Sequence, residues 1–539
     1  MLAKIIRNIE EAEVLFSQAV FGFLGIISIR FFLENLSSHS QSFPAVPDVL
    51  TLVHYALFYA GAFLSSVLLV RAFVPDIKKI SKVILSLLPV MWLPPIIDLI
   101  LSRGAGYQMA YIFATGKVFW MDFLTLGGVP LFGGVTPGIK IEMAIILFGL
   151  AAYVFLKTKS IPRAVIIAVL GYCLVFAWLA FPSIIAAFGS LTGAQFASVP
   201  GYFLIGQVAA SHFAVRAILP PGTISYSVVP GMFFNAGISY LFYLLDSMLI
   251  IGWALLYRPH FLKEYLRNCR PERVTSFFFM IAVGFFVAIK IEHAQPFGNW
   301  IDVMAFVVLF LAYFCAWIFA VGVNDIVDIE IDRVSNQDRP LVTSTVTEEE
   351  VHSANIFFLL WSFIGAFLVG YWAVFAMMLF TAAYYIYSAP PLRLKRVPLL
   401  ATFFIALASL SATAAGFYFA SPDQLAIEFP GRLLLLVIIF FTLITNVKDI
   451  KDIDGDRAAG IATIPTMFSE GIGKTVVGAI VVIAFLSVPA ILASAALFIP
   501  SLIAAGVGYY FVIAEPYHER RIFVLYFIYA IVVGIILSR

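Results

Sequence analysis

Apolar runs of about twenty residues, the length an α-helix needs to cross roughly 30 Å of hydrocarbon, recur from one end of this 539-residue sequence to the other. A lipid-facing backbone must satisfy its own hydrogen bonds, so a chain of such runs folds as a bundle of membrane-spanning helices. Composition agrees: 62% of residues are hydrophobic and 12% charged, against about half and a quarter in soluble domains. The expected fold is therefore all-α and polytopic, an integral multi-pass membrane protein whose first partner is the lipid bilayer. A formal net charge of +2 gives no basis for a nucleic-acid partner. Residues 1–11 are polar and the apolar run behind them lacks a small-residue cleavage site, so no cleavable signal peptide is expected. Cys173, Cys269 and Cys315 stand alone and read as packing residues, and the His residues show no paired ligand spacing that would suit zinc or haem.

The most basic stretch, YRPHFLKEYLRNCRPER at 257–273, separates two hydrophobic halves. It sets a boundary between an N-terminal membrane domain, 1–257, and a second domain, 258–539. In the second domain, apolar segments at 274–290, 300–323, 352–371, 373–388, 398–419, 431–446, 474–494, 495–514 and 520–538 predict a nine-helix bundle. Lys and Arg gather before its first helix and after every second one: Arg333 and Arg339; Arg393, Lys395 and Arg396; Lys448, Lys451, Arg457 and Lys474; Arg520 and Arg521. The opposite side carries only Lys290, Arg432 and Arg539. The positive-inside rule then puts the basic loops in the cytoplasm.

The first domain predicts about six crossings, at 12–33, 49–71, 81–102, 141–156, 163–187 and 229–256. Segments 104–139 and 196–220 fit either re-entrant or external positions. Pro94, Pro95 and Asp98 suggest a helix break, read most plainly as a kink with an acid near the interface. His54 and His212 read as packed or interfacial residues.

The chemistry lies in a repeated acidic pattern. NDIVDIEIDR carries Asp325, Asp328 and Asp332 before Arg333, and KDIKDIDGDR carries Asp449, Asp452 and Asp456 before Arg457. Both read D-x-x-D-x-x-x-D-R, and corresponding acids lie 124 positions apart. Spacings of i, i+3 and i+7 put the carboxylates on one face of a helix. Each copy follows an even-numbered helix of the second domain, so both belong to one membrane side, with four helices between them. Carboxylates crowded near a membrane repel one another and raise each other's pKa. A divalent cation removes that cost, and Mg2+ suits hard oxygens, usually taking one or two carboxylates plus substrate phosphate oxygens.

These residues resemble the UbiA superfamily of membrane prenyltransferases. The first motif is similar to that family's NDxxDxxxD, led by Asn324, and is followed by Asn336, Arg339 and Pro340 in an N-x-x-RP pattern. YSAPPLRLKR, from Tyr387 to Arg396, is similar to the family's basic loop, and the second motif with GIATIPTMFSEG resembles the quinone, chlorophyll and ether-lipid branches. Arg270-Pro271 looks like the RP that opens the family's first helix. The resemblance covers about 260–539 and leaves the first half unexplained.

The resemblance implies Mg2+-assisted ionisation of a prenyl diphosphate and transfer of the prenyl group to a hydrophobic acceptor. A quinone precursor, an ether lipid and a tetrapyrrole all stay open as acceptors. It implies two Mg2+ held by Asp325, Asp328, Asp332, Asp449, Asp452 and Asp456. Asn324, Asp325, Asp328, Asp449 and Asp452 are the catalytic candidates. Arg339, Arg393, Lys395, Lys448 and Tyr387 are candidates for binding the diphosphate. Tyr384, Tyr385 and Tyr387 are expected to face an allylic cation. Glu330 and Asp454 fall off the shared face, and Arg333 and Arg457 fit either phosphate binding or neutralisation of neighbouring acids. A membrane transporter using the acids as an ion path, and a CDP-alcohol phosphotransferase, are the competing classes. The second needs a DG-x-x-AR opening that DGDRAAG lacks.

Overall fold

A computed structural model describes residues 2–37, 49–107, 113, 117–128, 135–185, 230–292, 297–421, 428–458 and 460–538. Among these, every regular element is helical. Fourteen helices are long and apolar enough to cross a membrane, six of them before residue 258. The chain is an all-α polytopic membrane protein. It divides into two compact units, with a chain boundary between Leu262 and Lys263, and the short stretch Asn299–Ala305 groups with the first unit.

The first unit contains α1 (Leu2–Glu11), α2 (Phe16–Ser37), α3 (Val49–Arg71), α4 (Ile77–Leu87), α5 (Leu93–Leu101), α6 (Lys117–Leu124), α7 (Pro137–Thr158), α8 (Ile161–Leu179) and α9 (Pro230–Tyr257). The predicted crossing at 81–102 is interrupted: a 3-10 turn at Leu88–Trp92 separates α4 from α5. The freed Met91 carbonyl accepts from the Arg30 guanidinium at 2.7 Å. Asp98 proves to have a structural task. Its buried Oδ1 accepts from the Gly138 amide at 2.7 Å, in the first turn of α7, where orphan N–H groups need acceptors. Of the two ambiguous segments, 104–139 contributes the short α6 and the start of α7. Segment 196–220 and His212 lie outside the described residues.

After α10 (Pro259–Arg267), the second unit builds on α11 (Pro271–Glu292), α12 (Trp300–Val327), α13 (Ile329–Ser335), α14 (Glu348–Val369), α15 (Tyr371–Ser388), α16 (Leu400–Ala420), α17 (Gly431–Ile444), α18 (Ile453–Ala458), α19 (Glu470–Leu492), α20 (Phe498–Ile513) and α21 (Glu519–Ser538). Leaving aside the short α13 and α18, nine long helices are present among the described residues after α10. Eight are apolar enough to span; α15 is less so, because it carries Tyr371, Tyr384, Tyr385 and Tyr387. Helix α16 lies at the centre, packed against α11, α15 and α17. Its Ala, Ser, Thr and Gly side chains allow the neighbouring helices to come close, the usual solution where lipid gives no hydrophobic drive for helix association.

Candidate active site

Both acidic motifs sit where a long helix ends. In the first copy α12 stops at Val327, Asp328 forms a one-residue break through which helical bonds continue, and Asp332 lies on the short α13, with all three acids buried. In the second copy, a 3-10 turn at Thr445–Ile450 follows α17, and Asp456 lies on α18. Asp and Asn compete with the helical backbone for hydrogen bonds, which favours such breaks. The short helices α13 and α18, one from each motif, pack together.

The first motif is threaded with basic side chains. Asp325 is buried and accepts from Arg270 at 3.1 Å, from Arg339 at 2.9 Å and from Asn268. Arg339 also holds Asp332, whose other oxygen takes Asn336 Nδ2 at 3.1 Å. Asp328, also buried, accepts from Arg393 at 2.8 Å and from Lys395. Asn324 accepts from the Ser388 hydroxyl at 3.2 Å. Burial, reinforced by Asp325 and Asp328 and opposed by Arg339, pushes the Asp332 carboxyl up to about 6.

The second motif has fewer positive neighbours. The Lys448 ammonium is 3.9 Å from Asp449. Lys448 also donates to the Tyr387 hydroxyl at 2.8 Å and lies 4.6 Å from its ring centroid. Burial, together with repulsion from Asp449 and Asp452, pushes Asp456 up to about 7, even though Lys448 and Lys395 act the other way. That excess negative charge fits a divalent cation. Among the described residues, no three His, Cys, Asp or Glu side chains form a ready metal-binding group. Carboxylate oxygens are the donor type that suits Mg2+, which usually takes one or two protein carboxylates and other oxygens from a substrate.

Beside the motifs, a cavity opens among the helices. Asn324, Tyr387 and Lys448 lie in its wall, and Phe277, Trp317 and Tyr384 form a cluster of rings with centroids 5.4 to 6.0 Å apart. Tyr385 does not line it and is about half exposed.

Sequence reading missed several of these residues. Arg270 was noted only as part of an RP pair, and Asn268, Arg273, Trp317 and Glu519 carried no motif. Arg273 and Lys451 both bind Glu519 at 2.9 Å, so α11, the second motif and α21 are joined by one carboxylate. The signal available was a basic or acidic residue at the edge of an apolar run. Arg333 instead pairs with Glu330 at 2.8 Å in an exposed position, and Arg457 donates to the Phe468 carbonyl at 3.1 Å. Asp454 is exposed.

Comparison with known proteins bears on the same region. The model of the UbiA prenyltransferase family matches residues 277–531. Naringenin 8-dimethylallyltransferase 2 of Sophora flavescens is 28% identical over 219 residues, covering 38% of this chain and 51% of that protein. Digeranylgeranylglyceryl phosphate synthase of Pyrococcus horikoshii is 29% identical over 190 residues, covering 35% and 62%. The alignments thus span only 51% and 62% of these relatives' length, less than two thirds of either. A solved UbiA homologue from Archaeoglobus fulgidus bound to DMAPP and Mg2+ aligns with 50% of this chain and 96% of its own, at 23% identity and a TM-score of 0.41. The C-terminal half of this chain, over residues 277–531, carries a region of the UbiA prenyltransferase family.

Proposed function

We propose that residues 258–539 act as an intramembrane prenyltransferase, moving a prenyl group from a prenyl diphosphate to an aromatic or lipid acceptor. The observation that carries this reading is the pairing of two Asp-rich helix ends, interleaved with Arg and Lys, beside a cavity with an aromatic wall. The prenyltransferase relatives support the reaction class. The Lys and Arg bias of the loops supports a cytoplasmic position for the motifs.

Asp325, Asp328, Asp332, Asp449, Asp452 and Asp456 would hold two Mg2+, which supply Lewis-acid charge to the diphosphate oxygens. Arg339, Arg393 and Lys395 reach the same carboxylates and carry N–H groups suited to phosphate, where charge-assisted bonds are strong. Tyr387 accepts from Lys448, so its own hydroxyl proton is left to donate into the cavity. As the allylic C–O bond breaks, these donors stabilise the leaving diphosphate. The faces of Phe277, Trp317 and Tyr384 stabilise the allylic cation by the same quadrupole attraction that operates in cation–π contacts. The acceptor's electron pair then forms the new C–C or C–O bond, and the acceptor's proton leaves to water or to the released diphosphate.

The test is incubation of the full chain in lipid nanodiscs with labelled prenyl diphosphates and a panel of quinone-precursor, glycerol-phosphate and tetrapyrrole acceptors, read by mass spectrometry. A prenylated product that requires Mg2+ and disappears on chelation is expected. Neither product nor diphosphate release across the panel would overturn the reading. In the same assay, Arg333→Ala and Arg457→Ala should retain turnover within about twofold, because both side chains point away from the acids and exposed pairs contribute about 1 kcal/mol or less.

A further inference from the structure

The first unit contains a carboxyl group that this chemistry does not use. Asp246 lies near the middle of α9, inside the span Phe234–Tyr257, and has no solvent exposure. Neither of its oxygens has a hydrogen-bond partner. It faces α3 at Gly61, where the missing side chain makes the room: a Cβ there would meet Asp246 Oδ1 at 2.5 Å and the ring edge of Trp178 at 2.0 Å. Among the described residues no basic side chain bonds either oxygen, and an ionised carboxylate inside a membrane is costly unless it is paired.

The titratable neighbours are engaged elsewhere. On α3, His54 Nδ1 lies 3.2 Å from the Ser239 hydroxyl, and Tyr55 donates to Glu34 at 2.8 Å. On α4, Lys82 donates to the Glu10 and Ala12 carbonyls, and Lys78 lies over the Tyr257 ring. A metal ion would need several oxygen ligands. The Gly61 carbonyl already accepts from Ser65 at 2.6 Å, and Ser65 in turn accepts from the Trp178 indole at 2.9 Å. A proton needs no such shell.

A cavity lies about one helical turn from the acid, which does not itself line it. It is lined by His54, Tyr55, Trp178 and Phe242. Phe242 precedes Asp246 by one helical turn, and Trp178 is the ring that meets it at Gly61. On the far wall, Tyr55 leads to Glu34, which pairs at 3.1 Å with the buried Arg30 at the interrupted α4–α5 span. We propose that the first unit is a proton-binding membrane module in which Asp246 carries an exchangeable proton and the His54–Tyr55 cavity admits it.

The test uses the full chain in nanodiscs and dicyclohexylcarbodiimide, an apolar reagent that reacts with protonated carboxyl groups. Peptide mass spectrometry should find the adduct on Asp246, with a labelling rate that falls as pH rises, and no adduct at this position in Asp246→Asn. Infrared difference spectra at neutral pH should show the variant losing a carboxylic-acid carbonyl band that shifts when the wild type is moved into D2O. Loss of a carboxylate band instead, a band that does not shift in D2O, or an unlabelled Asp246 would overturn the proposal. If Asp246→Asn fails to fold, the wild-type adduct map and D2O shift decide it alone.

Discussion

Asp325→Ala is expected to abolish prenyl transfer, and Asp325→Asn to lower it by about two to three orders of magnitude. Asp325 is buried, and it is the shared partner of Arg270 and Arg339. Removing it leaves two guanidinium groups without their common counter-charge, and breaking a buried pair costs about 3–5 kcal/mol. The alanine variant therefore loses local order as well as the proposed metal ligand. Asparagine keeps the shape and one acceptor oxygen but not the charge, so it isolates the electrostatic part. Several kcal/mol of Lewis-acid stabilisation depend on that charge, and each 1.36 kcal/mol is about tenfold in rate. Labelled-donor turnover and a melting curve on both variants separate the two effects. Wild-type turnover in the asparagine variant would remove Asp325 from the chemistry.

The second large effect is expected in the bundle itself. Gly416→Ala and Gly284→Ala should each lower stability by about 3 kcal/mol, at the upper end of the usual cost of overpacking. The two glycines sit where α11 and α16 cross. A Cβ on Gly416 would lie 1.9 Å from the Ile281 carbonyl oxygen, and one on Gly284 would lie 1.9 Å from that of Thr413. The obstacle is backbone in both cases, so no side chain can rotate away and the helices must separate. Those helices also carry Ser276, Phe277, Ile405 and Ser409 in the cavity wall. Separation should thus loosen the cavity along with the fold. A melting temperature unchanged in both variants would show that the crossing can slide at no cost.

The two acidic motifs were legible because their residues repeat. D-x-x-D-x-x-x-D-R occurs twice with basic neighbours, and periodic apolar runs placed the helices to within a few residues. What the sequence does not carry is azimuth. Nothing local says that Arg270, on the turn before α11, meets Asp325 at the end of α12, or that Glu519 reaches Arg273. The breaks at Asp328 and after α17 were missed for a related reason: a spacing that fits a helical face also fits two short elements joined by a bend. In the first unit, Arg30, Glu34 and Asp246 are single charges in apolar runs, with no repeat to give them context. Their meaning comes from burial and from which helices pack together.

The carboxylate joining α11 to α21 has a consequence for how the protein is made. Arg273 emerges from the ribosome 246 residues before Glu519, the partner that holds it at 2.9 Å. Ser276 and Phe277 likewise wait for Ile522, Phe523 and Tyr526, which form another part of the same wall. Through most of synthesis the nascent cavity is therefore open to lipid along one side, and its arginine lacks that counter-charge. Closure is a late event in biogenesis, and a ribosome stalled before α21 would leave a membrane-inserted chain with its acidic motifs complete and its cavity unsealed.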